Sequence, residues 1–201
     1  MKNILILMLS VCLTQLLSAQ KEKVIFSDDF SSNKNNWSTH TVNQINYLVY
    51  NNKYILDAND SLTYNVFVPV KIDTTKNYVI SATMVHTTGT VNAAFGIYFG
   101  GTDVSNYYAF DISANGYYKV EKATSANYSN LVPWTTSALV KQGNYVENEI
   151  RIIREGIYWK LMINGQLVNT IPAEPLLGDK IGFTKNYPQR IEFDNLKVIQ
   201  N

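Results

Sequence analysis

The chain has one cysteine in 201 residues, two histidines, five prolines, and nearly balanced charge, with 17 Lys and Arg against 16 Asp and Glu. The cysteine, Cys12, lies in an apolar N-terminal run. Lys2 provides a positive start, Ile4–Leu17 the apolar stretch, and Ser18-Ala19 a small-residue cleavage site, so 1–19 reads as a secretory signal. The run is shorter than the ~20 apolar residues of a spanning helix and is interrupted by Ser10, Thr14 and Gln15, so no membrane insertion is expected after cleavage. Residue 20 to residue 201 is then free of cysteine, which excludes disulfides, a thiol nucleophile and thiolate zinc sites. The expected location is outside the cytoplasm: periplasm, cell surface or extracellular space.

Removing Lys2 with the signal leaves a formally neutral mature chain, without the basic footprint of a nucleic-acid partner or an anionic membrane surface. No long amphipathic helix, 20–50-residue repeat or linker is visible after residue 20, so 20–201 is expected to be one domain. About 180 residues can bury roughly 70% of their unfolded surface, enough for a core without cross-links.

What the chain does have is alternation. Val24–Phe30, Tyr47–Tyr50, Lys53–Asp57, Leu62–Val70, Tyr78–His86, Val91–Phe99, Asn106–Ser113 and Tyr117–Ala123 read as strands. Near the end, Glu149–Pro172 carries Glu155-Gly156 and Asn164-Gly165 as two hairpin turns, and Arg190–Ile199 closes the chain. In that last strand Ile191 and Phe193 share one phase while Leu196 and Val198 share the other, which predicts a bulge near Asp194. Ala123–Val146 is polar and irregular, and reads as a long loop of the kind that carries function, with a short strand inside it as the alternative. About a dozen short strands with turn signals between them predict an all-β fold, a two-sheet antiparallel β-sandwich of the jelly-roll kind. A closed barrel is the alternative; a propeller lacks its repeat.

Three segments carry a family likeness: FSDDFSSNKNNW (Phe26–Trp37), FGIYFGGTDVSNYYAFDISANGYYKVEK (Phe95–Lys122), and NEIRIIREGIYWKLMINGQLVNTI with KIGFTK and IEFDNLKV after it. In this order they resemble the concanavalin A-like lectin/glucanase superfamily, nearest to the laminin G-like domains of exported bacterial proteins. The resemblance implies a jelly roll with its first and last strands adjacent and one concave face. It speaks for the fold far more than for any activity.

Related sandwiches include glycosidases with an E-x-D-x-x-E strand. Here Glu192-Phe193-Asp194 is followed by Lys197 where the second Glu should stand, on what looks like an edge-closing strand. Glu147 and Glu149 flank a loop. No carboxylate pair at glycosidase spacing can be assembled from these, so no catalytic residue is assigned. Asp28, Asp29 and Asp194 leave room for a structural calcium if the termini pair, but no dense ligand loop is present; turn capping by Asp28 or Asp29 and a bulge at Asp194 is the favoured reading, with no cofactor and no metal ligand assigned. His40 and His86 lack metal spacing.

The remaining constellation is aromatic. A pyranose presents an apolar C–H face and a rim of hydroxyls, which suits flat rings beside amides. Tyr107, Tyr108, Tyr117 and Tyr118 lie on one hairpin, where one of each pair should face outward. Trp134 and Tyr128 lie in the irregular stretch beyond. Tyr108, Tyr118, Tyr128 and Trp134 are the candidate ligand-binding residues, although core packing is the stronger expectation for the hairpin tyrosines. Trp37 and Trp159 read as core. The expected function is a secreted, non-catalytic binding domain for a polysaccharide or other glycan. Its rivals are a glycoside hydrolase and a structural or adhesive surface protein. The oligomeric state is not legible.

Overall fold

A computed structural model describes residues 22–201; the expected signal lies outside them. The described chain is all strand and turn. In chain order the strands are β1 (Lys23–Asp28), β2 (His40–Val42), β3 (Ile45–Tyr50), β4 (Lys53–Ala58), β5 (Thr63–Pro69), β6 (Tyr78–Gly89), β7 (Phe95–Asp103) and β8 (Asn106–Ser113). They continue as β9 (Tyr117–Thr124), β10 (Asn127–Thr136), β11 (Glu147–Glu155), β12 (Tyr158–Ile163), β13 (Gln166–Pro172), β14 (Lys180–Asn186) and β15 (Gln189–Gln200).

Two antiparallel sheets pack as a sandwich. One holds nine strands in the order β13-β12-β11-β6-β15-β4-β3-β2, with β1 also on β15; the other holds six, β10-β9-β8-β7-β14-β5. Period two sends alternate side chains from both sheets into one core. Ile80, Ala82 and Met84 from the nine-stranded sheet meet Phe95, Ile97, Phe99, Phe110 and Phe183 from the six-stranded one. At one end Phe30, Trp37, Tyr54, Phe183 and Phe193 form an aromatic cluster, with Phe183 and Phe193 stacked at 4.2 Å. Trp37 and Trp159 are both buried there and elsewhere in the same core.

The hairpin chemistry explains the ladder. Asn51-Asn52 and Asn164-Gly165 place both turn residues at positive φ, a twist that matches the flanking strands. The turn after β11 sits one residue later than the sequence suggests. Glu155 pairs with Tyr158, so Gly156-Ile157 is the turn, with positive φ at Gly156 alone. Ile157 therefore leaves the alternation and is exposed, while Trp159, Leu161 and Ile163 remain buried.

Three further expectations change. Val91–Ala94 is a turn held by the bond from Ala93 N to Thr90 O, so β7 starts at Phe95 and runs past Gly100 to Asp103. Ala123–Val146 is not one loop: it contains the ten-residue edge strand β10. And β15 is interior, not an edge. β6 flanks it on one side, while β4 and then β1 share the other. The expected bulge is there: Asn195 and Leu196 together oppose the stretch between Thr83 and Ser81, and Asn195 has φ 52°. It brings Ile191, Phe193, Leu196 and Val198 all into the core.

His86, at the end of β6, is buried beside Phe95; its Nδ1 shares a 2.8 Å hydrogen bond with Asn144, and its Nε2 is buried without a partner among the described residues. Burial holds the imidazole below its ordinary range, against the opposing bond to Asn144. A lowered folded pKa means stability that is present above the unfolded value and lost as pH falls below about 6.5. Thermal melts across that range should show the wild type losing stability more steeply than His86→Phe; parallel slopes would refute the assignment.

Candidate site on the outer face of the six-stranded sheet

β8, β9 and β10 build the site. Alternation in β8 turns Tyr108, Phe110 and Ile112 toward the core, and Tyr107, Ala109, Asp111 and Ser113 toward the outer face. In β9 the core takes Tyr118 and Val120, leaving Tyr117, Lys119, Glu121 and Ala123 outside. Tyr108 and Tyr118, expected as ligand contacts, are thus core residues. Tyr108 packs on Phe99 and Trp159, and its hydroxyl donates to Glu174 and the Pro175 carbonyl. The outward partners are Tyr117, at the turn end, and Tyr107, which stacks on Tyr98 at 5.0 Å within a second small cluster that includes Phe67.

The register sets three charges side by side. Asp111 faces Lys119 across the hairpin, and Glu121 follows two residues on. Pro133 and Trp134 together oppose Lys119, because β10 bulges between Val132 and Thr135. Pro133 is tolerated there because an edge strand does not need its backbone donor. This bulge lays the Trp134 ring over Lys119, with Nζ 5.3 Å from its centre; Tyr128, from the start of β10, has its ring centre 5.8 Å from the same Nζ.

Although on the outer face, Asp111, Lys119 and Glu121 are each at most 5% exposed. Lys119 Nζ is paired with Glu121, stands 3.5 Å from Asp111, and donates to the Tyr128 hydroxyl at 3.1 Å. That hydroxyl in turn donates to Glu121, as does Tyr107. Burial alone would lower the Lys119 ammonium, but the two carboxylates outweigh it and hold it well above the ordinary lysine range. Burial pushes the Asp111 carboxyl up, with Lys119 opposing. Asp111 Oδ1 has no hydrogen-bond partner among the described residues and lies over Gly96, where a Cβ would come within 2.8 Å of it.

Beside this cluster is an open cavity of about 270 Å³ lined by Asn92, Ser113, Asn115, Tyr117 and Trp134. Two exposed rings, Trp134 at 42% and Tyr117 at 40%, border amide and hydroxyl groups. The structure therefore gathers Trp134 and Tyr128 around one ammonium and separates both from Tyr108 and Tyr118. The ion triad was missed in the sequence, although Asp111, Lys119 and Glu121 all share the outward phase of one hairpin.

The other sequence candidates lie elsewhere. Glu192 meets Arg190, and Asp194 accepts from Lys53 at 2.6 Å; both point away from the core of the nine-stranded sheet. Glu149 pairs with Arg151, and His40 leans on Tyr47. Asp28 is buried and accepts from Phe30 N, Asn35 Nδ2 and Trp37 Nε1, whereas Asp29 caps Ser31. Among the described residues no group of three His, Asp or Glu side chains is arranged to hold a metal ion.

No protein-family model and no curated protein matches the chain. Solved structures do. The carbohydrate recognition domain of Emp47p superposes with a TM-score of 0.68 at 14% identity, over 91% of this chain and 98% of that one. The chain shares the fold of these structures, a two-sheet antiparallel β-sandwich. A protein of unknown function with a galectin-like fold from Bacillus subtilis gives a TM-score of 0.61 at 13% identity, covering 89% of this chain and 96% of that one. The carbohydrate-binding module CBM66 from Bacillus subtilis gives 0.58 at 11% identity, covering 88% and 94%. These identities speak for architecture alone.

Proposed function

We propose that the chain is an exported, non-catalytic carbohydrate-binding domain that receives a glycan on the outer face of the six-stranded sheet. The observation that carries this is the wall formed by Trp134 and Tyr117 beside Asn92, Ser113 and Asn115. Rings of this kind stack on the C–H face of a pyranose while the amides and hydroxyls answer its hydroxyl groups. Tyr128 extends the wall along β10. The carbohydrate-binding names among the structural neighbours support the same reading. Placement within the concanavalin A-like superfamily, on its laminin G-like branch, is supported by the order of the three sequence segments and by the pairing of first and last strands. Export is supported by the sequence of residues 1–19 and by the cysteine-free remainder.

Trp134→Ala tests the site. Retention on the bound polysaccharide should weaken by at least ~10-fold, the loss typical of a central aromatic anchor. Folding stability should change by no more than about 1 kcal/mol, since the ring is partly exposed and its contact with Lys119 is a cation–π one. Affinity electrophoresis in polysaccharide-containing gels, with thermal melts alongside, measures both. Undiminished retention would move the site elsewhere.

A further inference from the structure

The charges beneath the aromatic wall carry the reading one step further, to the class of glycan. Trp134 and Tyr128 share one ammonium, Lys119, and that ammonium is already committed: Glu121 and Asp111 face it from below, and its remaining donor meets the Tyr128 hydroxyl. Two carboxylates stand against one ammonium, all but excluded from water. The residues lining the cavity, Asn92, Ser113, Asn115, Tyr117 and Trp134, bring no cation of their own. Asp111 Oδ1 is buried and has no hydrogen-bond partner among the described residues, so it remains an unanswered acceptor.

Resting on the glycan-binding reading, we propose that this site selects by charge, admitting uncharged polysaccharides and rejecting polyanionic ones such as polyuronates. A carboxylate-bearing sugar would have to give up water without gaining a charged donor, and would meet the field of the excess carboxylate through a region of low dielectric. A neutral pyranose meets neither obstacle. Its C–H face lies on Tyr117 and on Trp134, the ring that also contacts the Lys119 ammonium, and its hydroxyls find amide and hydroxyl partners. Asp111 and Glu121 therefore act as specificity-determining residues without touching the sugar: they mask Lys119.

The test is to unmask it. Purified wild-type protein is compared with Asp111→Asn/Glu121→Gln on three neutral polymers (β-glucan, mannan and arabinan) and on polygalacturonate. The wild type should be retained by at least one neutral polymer and held about tenfold or more weakly by polygalacturonate. The double variant leaves an ammonium among neutral acceptors; its retention by polygalacturonate should rise about tenfold and fall again in ~0.5 M salt. Circular dichroism establishes that the variant is folded; if it is not, Asp111→Asn alone should show the same direction with a smaller gain. Equal retention of neutral and anionic polymers by the wild type, or a folded variant with no gain, overturns the charge selectivity and leaves glycan binding standing. Retention of none of the polymers overturns both.

Discussion

Lys119→Met is expected to destabilise the fold by about 3–5 kcal/mol at neutral pH. The methionine fills much the same space, so little packing is lost. What is lost is the counter-ion of Asp111 and Glu121, both buried, with one Asp111 oxygen already unpartnered. Urea unfolding measures the cost. The sign of its pH dependence is fixed as well. Without the ammonium, which opposes the effect of burial, the Asp111 carboxyl rises further above its unfolded value; stability is then retained below the ordinary carboxylate range and lost as pH rises through the raised folded value. The deficit should shrink toward about pH 4 and be largest near neutrality. Adding Asp111→Asn to the methionine variant should recover part of the loss, because the three groups act as one network and their effects do not add. A cost below about 1 kcal/mol would mean that water reaches the triad freely.

This triad also shows where sequence reading stops. The strands were legible because period two survives in most of them, and the bulge in β15 was legible because Ile191 and Phe193 change phase to Leu196 and Val198. β10 was not. Half of its residues, Asn127 to Thr136, are polar, only Val132 is deeply buried, and two bulges break the alternation. Nor does chain order reveal sheet order: β15 comes last but lies between β6 and the β4 and β1 pair, because the first strand returns to cover its end. Asp111, Lys119 and Glu121 read as ordinary solvated charges on the outward face of a hairpin. Their burial is supplied by Tyr128 and Trp134 from a neighbouring strand whose register only the fold determines. Tyr108 and Tyr118 follow the stronger of their two expectations, core packing: each Tyr pair has an inward and an outward member, and these are the inward ones.

Asp28→Ala is expected to cost about 3–5 kcal/mol, since buried donors left unsatisfied cost ~1–3 kcal/mol each. Asp28 Oδ1 accepts from Phe30 N at 2.9 Å, and Oδ2 accepts from Trp37 Nε1 at 2.8 Å and Asn35 Nδ2 at 2.6 Å. These bonds fix the loop that carries Phe30 and Trp37 into the aromatic cluster against Phe183, so their loss loosens packing as well. Asp28→Asn should cost less, because its one carbonyl oxygen can still accept on one side, from Phe30 N or from Trp37 Nε1 and Asn35 Nδ2, while the other side is lost. The same geometry bears on calcium. A cation at Asp28 would have to displace an indole, an amide and a backbone N–H, while Asp194 is held by Lys53. Melting temperature is therefore expected to be the same in excess EDTA and in millimolar calcium. A fall in EDTA that calcium reverses, and that Asp28→Asn abolishes, would show instead that the loop is organised by a metal ion.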